Sequence, residues 1–135
     1  MSFIEWSEEM SVGVSELDYQ HKMFLTYIND LNSAIVSGAA HLLIQVTMEN
    51  LAKHMKGHFT TEENLMEKYG YQGLEEHRKL HQELEREVNS FKAKYEANQQ
   101  IEKELLIFLK KWVTDHVMNE DKKFVGVVKE EPMWE

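Results

Sequence analysis

Leu51-Ala52-Lys53-His54-Met55-Lys56-Gly57-His58-Phe59-Thr60-Thr61-Glu62-Glu63-Asn64-Leu65-Met66 is the stretch on which the fold turns. Leu51, Met55, Phe59 and Met66 recur at the three-to-four-residue spacing of a helix face. Ile44 and Met48 extend the stripe backwards, which predicts a helix from about Ala40 to Tyr69, closed by Gly70. Inside it His58 and Glu62 stand four residues apart. That spacing turns a side chain by only ~40°, so both project from one face, one turn apart.

The same grammar repeats on either side. Leu80, Leu84, Val88, Phe91 and Tyr95 predict a helix from near Leu74 to about Glu96, with His77 and His81 again four apart. Upstream, Leu17, Phe24, Leu25, Ile28, Leu31 and Ile35 carry a helix to a stop at Gly38, and His21 lies on its apolar side. Ser15-Glu16-Leu17-Asp18 has the form of a capping box, so that helix is expected to begin with Ser15 at the cap. A fourth helix is predicted from around Gln100 through Leu105, Phe108, Leu109, Trp112 and Val113, ending after His116. Residues 1–14 read as an extended arm with Trp6, Val12 and Val14 available to pack. Four helices of roughly 20 residues, each ~30 Å long, joined by short loops, describe an all-α, up-down-up-down four-helix bundle. At 135 residues the chain is expected to form one domain over 1–135.

Composition narrows the function. There is one proline, Pro132, and no cysteine, so disulfides, thiolate zinc sites and cysteine-ligated iron–sulfur clusters are excluded. A net charge of −9, spread along the chain, argues against nucleic acid or an anionic membrane as partner. No apolar stretch approaches the ~18 residues needed to span a bilayer, and no basic segment followed by an apolar run opens the chain. A cytoplasmic protein is the expectation.

One histidine on an apolar face is ordinarily a satisfied core residue. Here each of four helices brings at least one inward nitrogen or oxygen donor: His21; His58 with Glu62; His77 with His81; His116. Several buried imidazoles without a metal would leave many polar nitrogens seeking partners in one small core. Convergent imidazoles and carboxylates in a bundle are where metal sites are built. His41 is expected to be solvent-exposed, and His54, one turn before His58, to lie outside the first ring of ligands. Asp121 follows His116 by five residues, about 140° apart on an α-helix, so the fourth helix must unwind or change course across Val117–Glu120 for both to meet one site.

These residues resemble the hemerythrin family, in particular its free-standing bacterial members, the bacteriohemerythrins. The resemblance runs through Trp6-Ser7, Val12-Gly13-Val14, Leu17-Asp18-Tyr19-Gln20-His21, His58-Phe59-Thr60-Thr61-Glu62-Glu63, His77-Arg78-Lys79-Leu80-His81, Trp112-Val113-Thr114-Asp115-His116 and Asp121-Lys122-Lys123. It implies two non-haem irons with an oxo or hydroxo bridge. His77, His81 and His116 would hold one, His21 and His58 the other, and Glu62 and Asp121 would bridge them. Three nitrogens saturate one iron and two leave an open position on the other, where dioxygen would bind reversibly for storage, delivery or scavenging. Phe59, Trp112, Val113 and Val117 are expected to line that pocket. Val113 stands where the family usually has Leu, and Phe124 where it often has Tyr.

The alternative is a diiron enzyme acting on dioxygen, peroxide or nitric oxide. Oxygen-activating bundles of the ferritin-like kind are carboxylate-rich with paired Glu-x-x-His motifs, and no Glu-x-x-His occurs here. The expected pocket residues include no acid or base to relay protons, which favours binding over turnover. Helical zinc or manganese phosphohydrolases typically carry an adjacent His-Asp pair, whereas this chain has the reversed Asp115-His116. An oxygen or redox sensor would need a separate protein partner. A monomer is the expected state.

Overall fold

Three helices end on one backbone device. The computed structural model describes residues 3–120, with residues 117–120 described by backbone alone. After α1 (Ser15–Val36), the Gly38 amide bonds Ile35 O at 3.1 Å and the Ala39 amide bonds Ala34 O at 2.9 Å. After α2 (His41–Lys68), Gly70 and Tyr71 make the same pair of bonds to Glu67 O and Met66 O; after α3 (Leu74–Glu96), Asn98 and Gln99 make it to Tyr95 O and Lys94 O. These are Schellman closures, and each needs a left-handed residue just past the helix. Gly38, Gly70 and Asn98 supply it, with φ of +71°, +66° and +63°. No atom lies within 4 Å of a Cβ built on Gly70, so Gly70→Ala tests backbone strain alone. It is expected to destabilise the chain by about 1–2 kcal/mol, read as a lower urea midpoint at unchanged slope; an unmoved midpoint would show that the turn relaxes.

The remaining helix, α4, spans Glu102–Trp112 and passes directly into a π-helical segment, Val113–Glu120. The predicted change of course is present, but it starts at Val113, earlier than Val117–Glu120. Asp121 and Phe124 lie outside the described residues, as does the side chain of Val117.

The expected capping box at Ser15 is corrected. Val14 is the cap, Ser15 is already helical, and no side chain caps the helix. Asp18 is engaged elsewhere: it accepts from Ser11 Oγ at 2.5 Å and from the Val12 amide at 2.8 Å. Its carboxylate therefore holds the N-terminal arm rather than its own helix end. Farther out, the Asn29 side chain pairs with both backbone groups of Ile4, at 2.9 and 2.8 Å. The arm contains one 3-10 turn, Glu8–Met10.

α1 packs on α2 and α4, and α2 on α3, in the order of an up-down-up-down bundle. The apolar interior falls into two clusters. The larger contains Phe24, Ile28, Leu31, Met48, Leu51, Met55, Phe59, Leu84, Val88, Leu105, Leu109 and Val113. The smaller holds Val12, Val14, Leu17 and Met66 under the arm. Between α3 and α4 runs a cleft of about 640 Å³, floored by Leu80, Leu84, Phe108 and Trp112; Leu80, Phe108 and Trp112 are accordingly only half-buried.

Candidate metal centre

The two apolar clusters are separated by a polar layer. Among the described residues, the buried polar side chains are His21, His58, Glu62, His77, His81 and His116, each 4 % exposed or less. Chain order explains the layer: His21 falls between Leu17 and Phe24, and Glu62 between Phe59 and Met66, whose apolar members belong to opposite clusters.

Glu62, fully buried, is the hub. Its Oε2 faces His58 Nε2 at 3.2 Å and His21 Nε2 at 3.8 Å. Its Oε1 faces His81 Nε2 at 3.1 Å, His116 Nε2 at 4.0 Å and, most closely, His77 Nε2. One carboxylate thus divides five imidazoles into a pair and a triplet, one oxygen for each. Ligand atoms of His21, His58 and Glu62 lie within 4.8 Å of one another, and so do those of Glu62, His77, His81 and His116. Burial pushes the Glu62 carboxyl up, but the polar edges of His21, His58, His77 and His81 gathered around it outweigh burial and hold the group well below the usual carboxylate range.

The outer edges of the imidazoles decide whether this arrangement suits a metal. His58 Nδ1–H donates to Gln20 Oε1 at 2.6 Å, and His81 Nδ1–H donates to Glu63 Oε2 at 2.8 Å. A neutral imidazole whose Nδ1 carries the proton presents a lone pair at Nε2. Both Nε2 atoms point at the Glu62 carboxylate, which also presents lone pairs. Such contacts are repulsive unless a cation or extra protons lie between them, and several imidazolium ions in a dry core would be costly. Two atoms bound at about 2.1 Å to one divalent ion lie ~3.0 Å apart when adjacent and ~4.2 Å when opposite. The observed 3.1–4.0 Å separations for His21, His58, His81 and His116 fall within that span. The donor set, imidazole with carboxylate, suits iron and its neighbours.

Aromatic rings wall the layer. Phe59 stacks on His81, centroids 3.9 Å apart and 8° from parallel, and Trp112 stacks on His116 at 5.0 Å and 17°. Val113, 2 % exposed, borders a small apolar recess beside His21 with Trp6, Met10, Phe24 and Leu25. Phe59 and Trp112 therefore touch the triplet, and Val113 adjoins the pair. Trp6, Met10, Phe24 and Leu25 carry no signal of this placement in the sequence; Trp6 and Met10 reach the site from the arm, which no helix periodicity registers. His41 is exposed, as expected, stacked on Tyr95. His54 lies outside the layer and donates through Nε2–H to the Gln20 carbonyl at 2.9 Å. Asp115 is exposed on the rim of the α3–α4 cleft. Among the described residues, no helix is long and apolar enough to cross a membrane.

Known proteins share this sequence pattern and fold. The hemerythrin HHE cation-binding domain matches residues 12–128. The chain belongs to the hemerythrin family. A bacteriohemerythrin of Pseudomonas aeruginosa (strain LESB58) is 32 % identical over 129 residues, covering 96 % of this chain and 84 % of its own. A myohemerythrin of Theromyzon tessulatum is 28 % identical, covering 90 % of this chain and 91 % of its own. A wild-type hemerythrin crystal structure superposes with a TM-score of 0.88 at 23 % identity, over 93 % of this chain and 98 % of that one.

Proposed function

We propose that the chain is a non-haem diiron protein that binds dioxygen reversibly, for storage, delivery or scavenging, rather than an enzyme that turns it over. The observation that carries this reading is the division of five imidazoles by one buried carboxylate into a triplet and a pair. His77, His81 and His116 would hold one iron, His21 and His58 the other, with Glu62 and Asp121 between them. Asp121 is included on the family match. When bound, the iron pair supplies the electrons that let the site take up dioxygen and return it.

The protein's own residues supply the rest. The pair offers one nitrogen fewer than the triplet, which would leave a coordination position open on its metal beside His21. The recess there is lined by Trp6, Met10, Phe24, Leu25 and Val113, none of which can donate a proton to a bound oxygen. An apolar lining keeps out the protons and water that would drive oxidation to the inactive ferric form. The chain is read as a single domain over 1–135, monomeric and cytoplasmic.

Iron per chain, measured together with optical spectra through repeated oxygenation and deoxygenation, tests the proposal. Two irons and a spectrum that returns on each cycle support a carrier; steady consumption of reductant would instead identify a diiron enzyme. Val113 offers a second measurement. Because Val is one methylene shorter than Leu, the recess beside His21 is covered less fully. Val113→Leu is expected to slow oxidation to the ferric state several-fold, and an unchanged rate would remove Val113 from the account.

A further inference from the structure

Two of the imidazoles are held from outside by partners of different charge, and each partner is itself fixed. Gln20 accepts from His58 through a neutral amide oxygen. The Gln20 amide cannot turn over freely. Its Nε2 faces Thr61 Oγ1 at 3.4 Å, and the Thr61 hydroxyl proton is already given to Gly57 O at 3.1 Å, so Thr61 accepts from the amide nitrogen. Glu63 accepts from His81 through a carboxylate, and Arg78 Nε donates to the other Glu63 oxygen at 3.1 Å. Arg78 is braced in turn by Glu75 at 2.5 Å and Glu67 at 3.6 Å.

We infer that Gln20 and Glu63 are positioning residues that fix the Nδ1–H tautomers of His58 and His81 and make the two metal positions electronically unequal. The inference rests on the diiron reading above. An imidazole that donates its N–H to a carboxylate is a stronger metal ligand than one that donates to an amide. His81, in the triplet, therefore favours the higher oxidation state of its metal. His58, in the pair, would give its metal less electron density and so favour its reduced state. The pair is also the side with the vacant nitrogen position, so the neutral partner falls where easy oxidation would end reversible binding.

The full-length chain tests this with three variants, Gln20→Ala, Gln20→Glu and Glu63→Gln, and with zinc as a diamagnetic probe. In the zinc-loaded wild type, nitrogen-15 NMR should show a slowly exchanging proton on Nδ1 of both His58 and His81. Gln20→Ala is expected to lose that signal at His58 and to bind zinc about 10–100-fold more weakly at one of two sites. Gln20→Glu should restore both. In the iron-loaded protein, Gln20→Glu should lower the reduction potential and Glu63→Gln should raise it. A purely structural role would lower the melting temperature of all three variants without this opposition in sign. Unchanged Nδ1 signals, or potentials that move together, would overturn the inference while leaving the diiron reading intact. A wild type that binds no second metal ion overturns both.

Discussion

Glu62→Gln is expected to leave purified protein with well under one metal ion per chain, where the wild type is expected to carry two. Each Glu62 oxygen serves a different group of imidazoles, so a single substitution reaches both positions. The amide that replaces it is similar in shape but carries no charge. Two unit charges 4 Å apart attract by roughly 4 kcal/mol even at the moderate effective dielectric of a protein, and in the loaded site one anion would face two dications. The loss in affinity is expected to exceed about 100-fold at each position, since even partners outside the ligand ring are worth 10–100-fold. Elemental analysis and chelator-competition titration measure it. Retention of two ions by the Glu62→Gln chain would show that Glu62 is not the shared ligand.

Metal removal should have the next largest effect, this time on stability. A ligand that binds only the folded chain stabilises it by mass action, by about 4.1 kcal/mol at a thousand times its dissociation constant. For a chain of this size that corresponds to a melting temperature lower by roughly 10–20 °C after chelation. His77→Ala and His81→Ala are expected to melt near the stripped wild type and to respond little to added ferrous ion. The empty site should be weak for a stated reason: six polar side chains then share a layer with each other instead of with cations. Identical melting of wild type with and without chelator would mean that the site holds no metal.

Much of this was legible in the chain, and unevenly so. The stripe from Ile44 to Met66 and that from Leu80 to Tyr95 gave helix limits within a residue or so of His41–Lys68 and Leu74–Glu96, because two flanking stops and a long period leave little freedom. The buried polar set was legible because imidazole interrupting an apolar stripe has few inexpensive explanations. Ser15 misled because a capping box and an aspartate that reaches back to the arm look alike until the arm is placed. The π segment was visible only as a spacing that an α-helix could not satisfy, and its start at Val113 needed the fold. Gln20 and Glu63 left almost no signal: each neighbours a candidate ligand, yet on a helix flank a glutamine or glutamate reads as ordinary surface. The assignment of Glu62 Oε1 to three imidazoles and Oε2 to two is a tertiary fact that no one-dimensional pattern contains.

The polar layer between the two apolar clusters has a dynamic consequence. Val12, Val14, Leu17 and Met66 pack as one apolar unit and the larger cluster as another, joined outside the layer by the arm, whose Phe3, Ile4, Trp6 and Met10 pack on the larger cluster. Contiguous segments with few apolar contacts are those that open below the global unfolding energy. Without metal, amides around Val12–Leu17 and Met66–Leu74 should therefore exchange with solvent as one unit, ahead of those around Ile28 and Leu51. With metal bound, the two units are cross-linked through all four helical regions that carry the imidazoles and should exchange at one common, slower rate. The ligand set would then act as a clasp that joins two otherwise separable folding units.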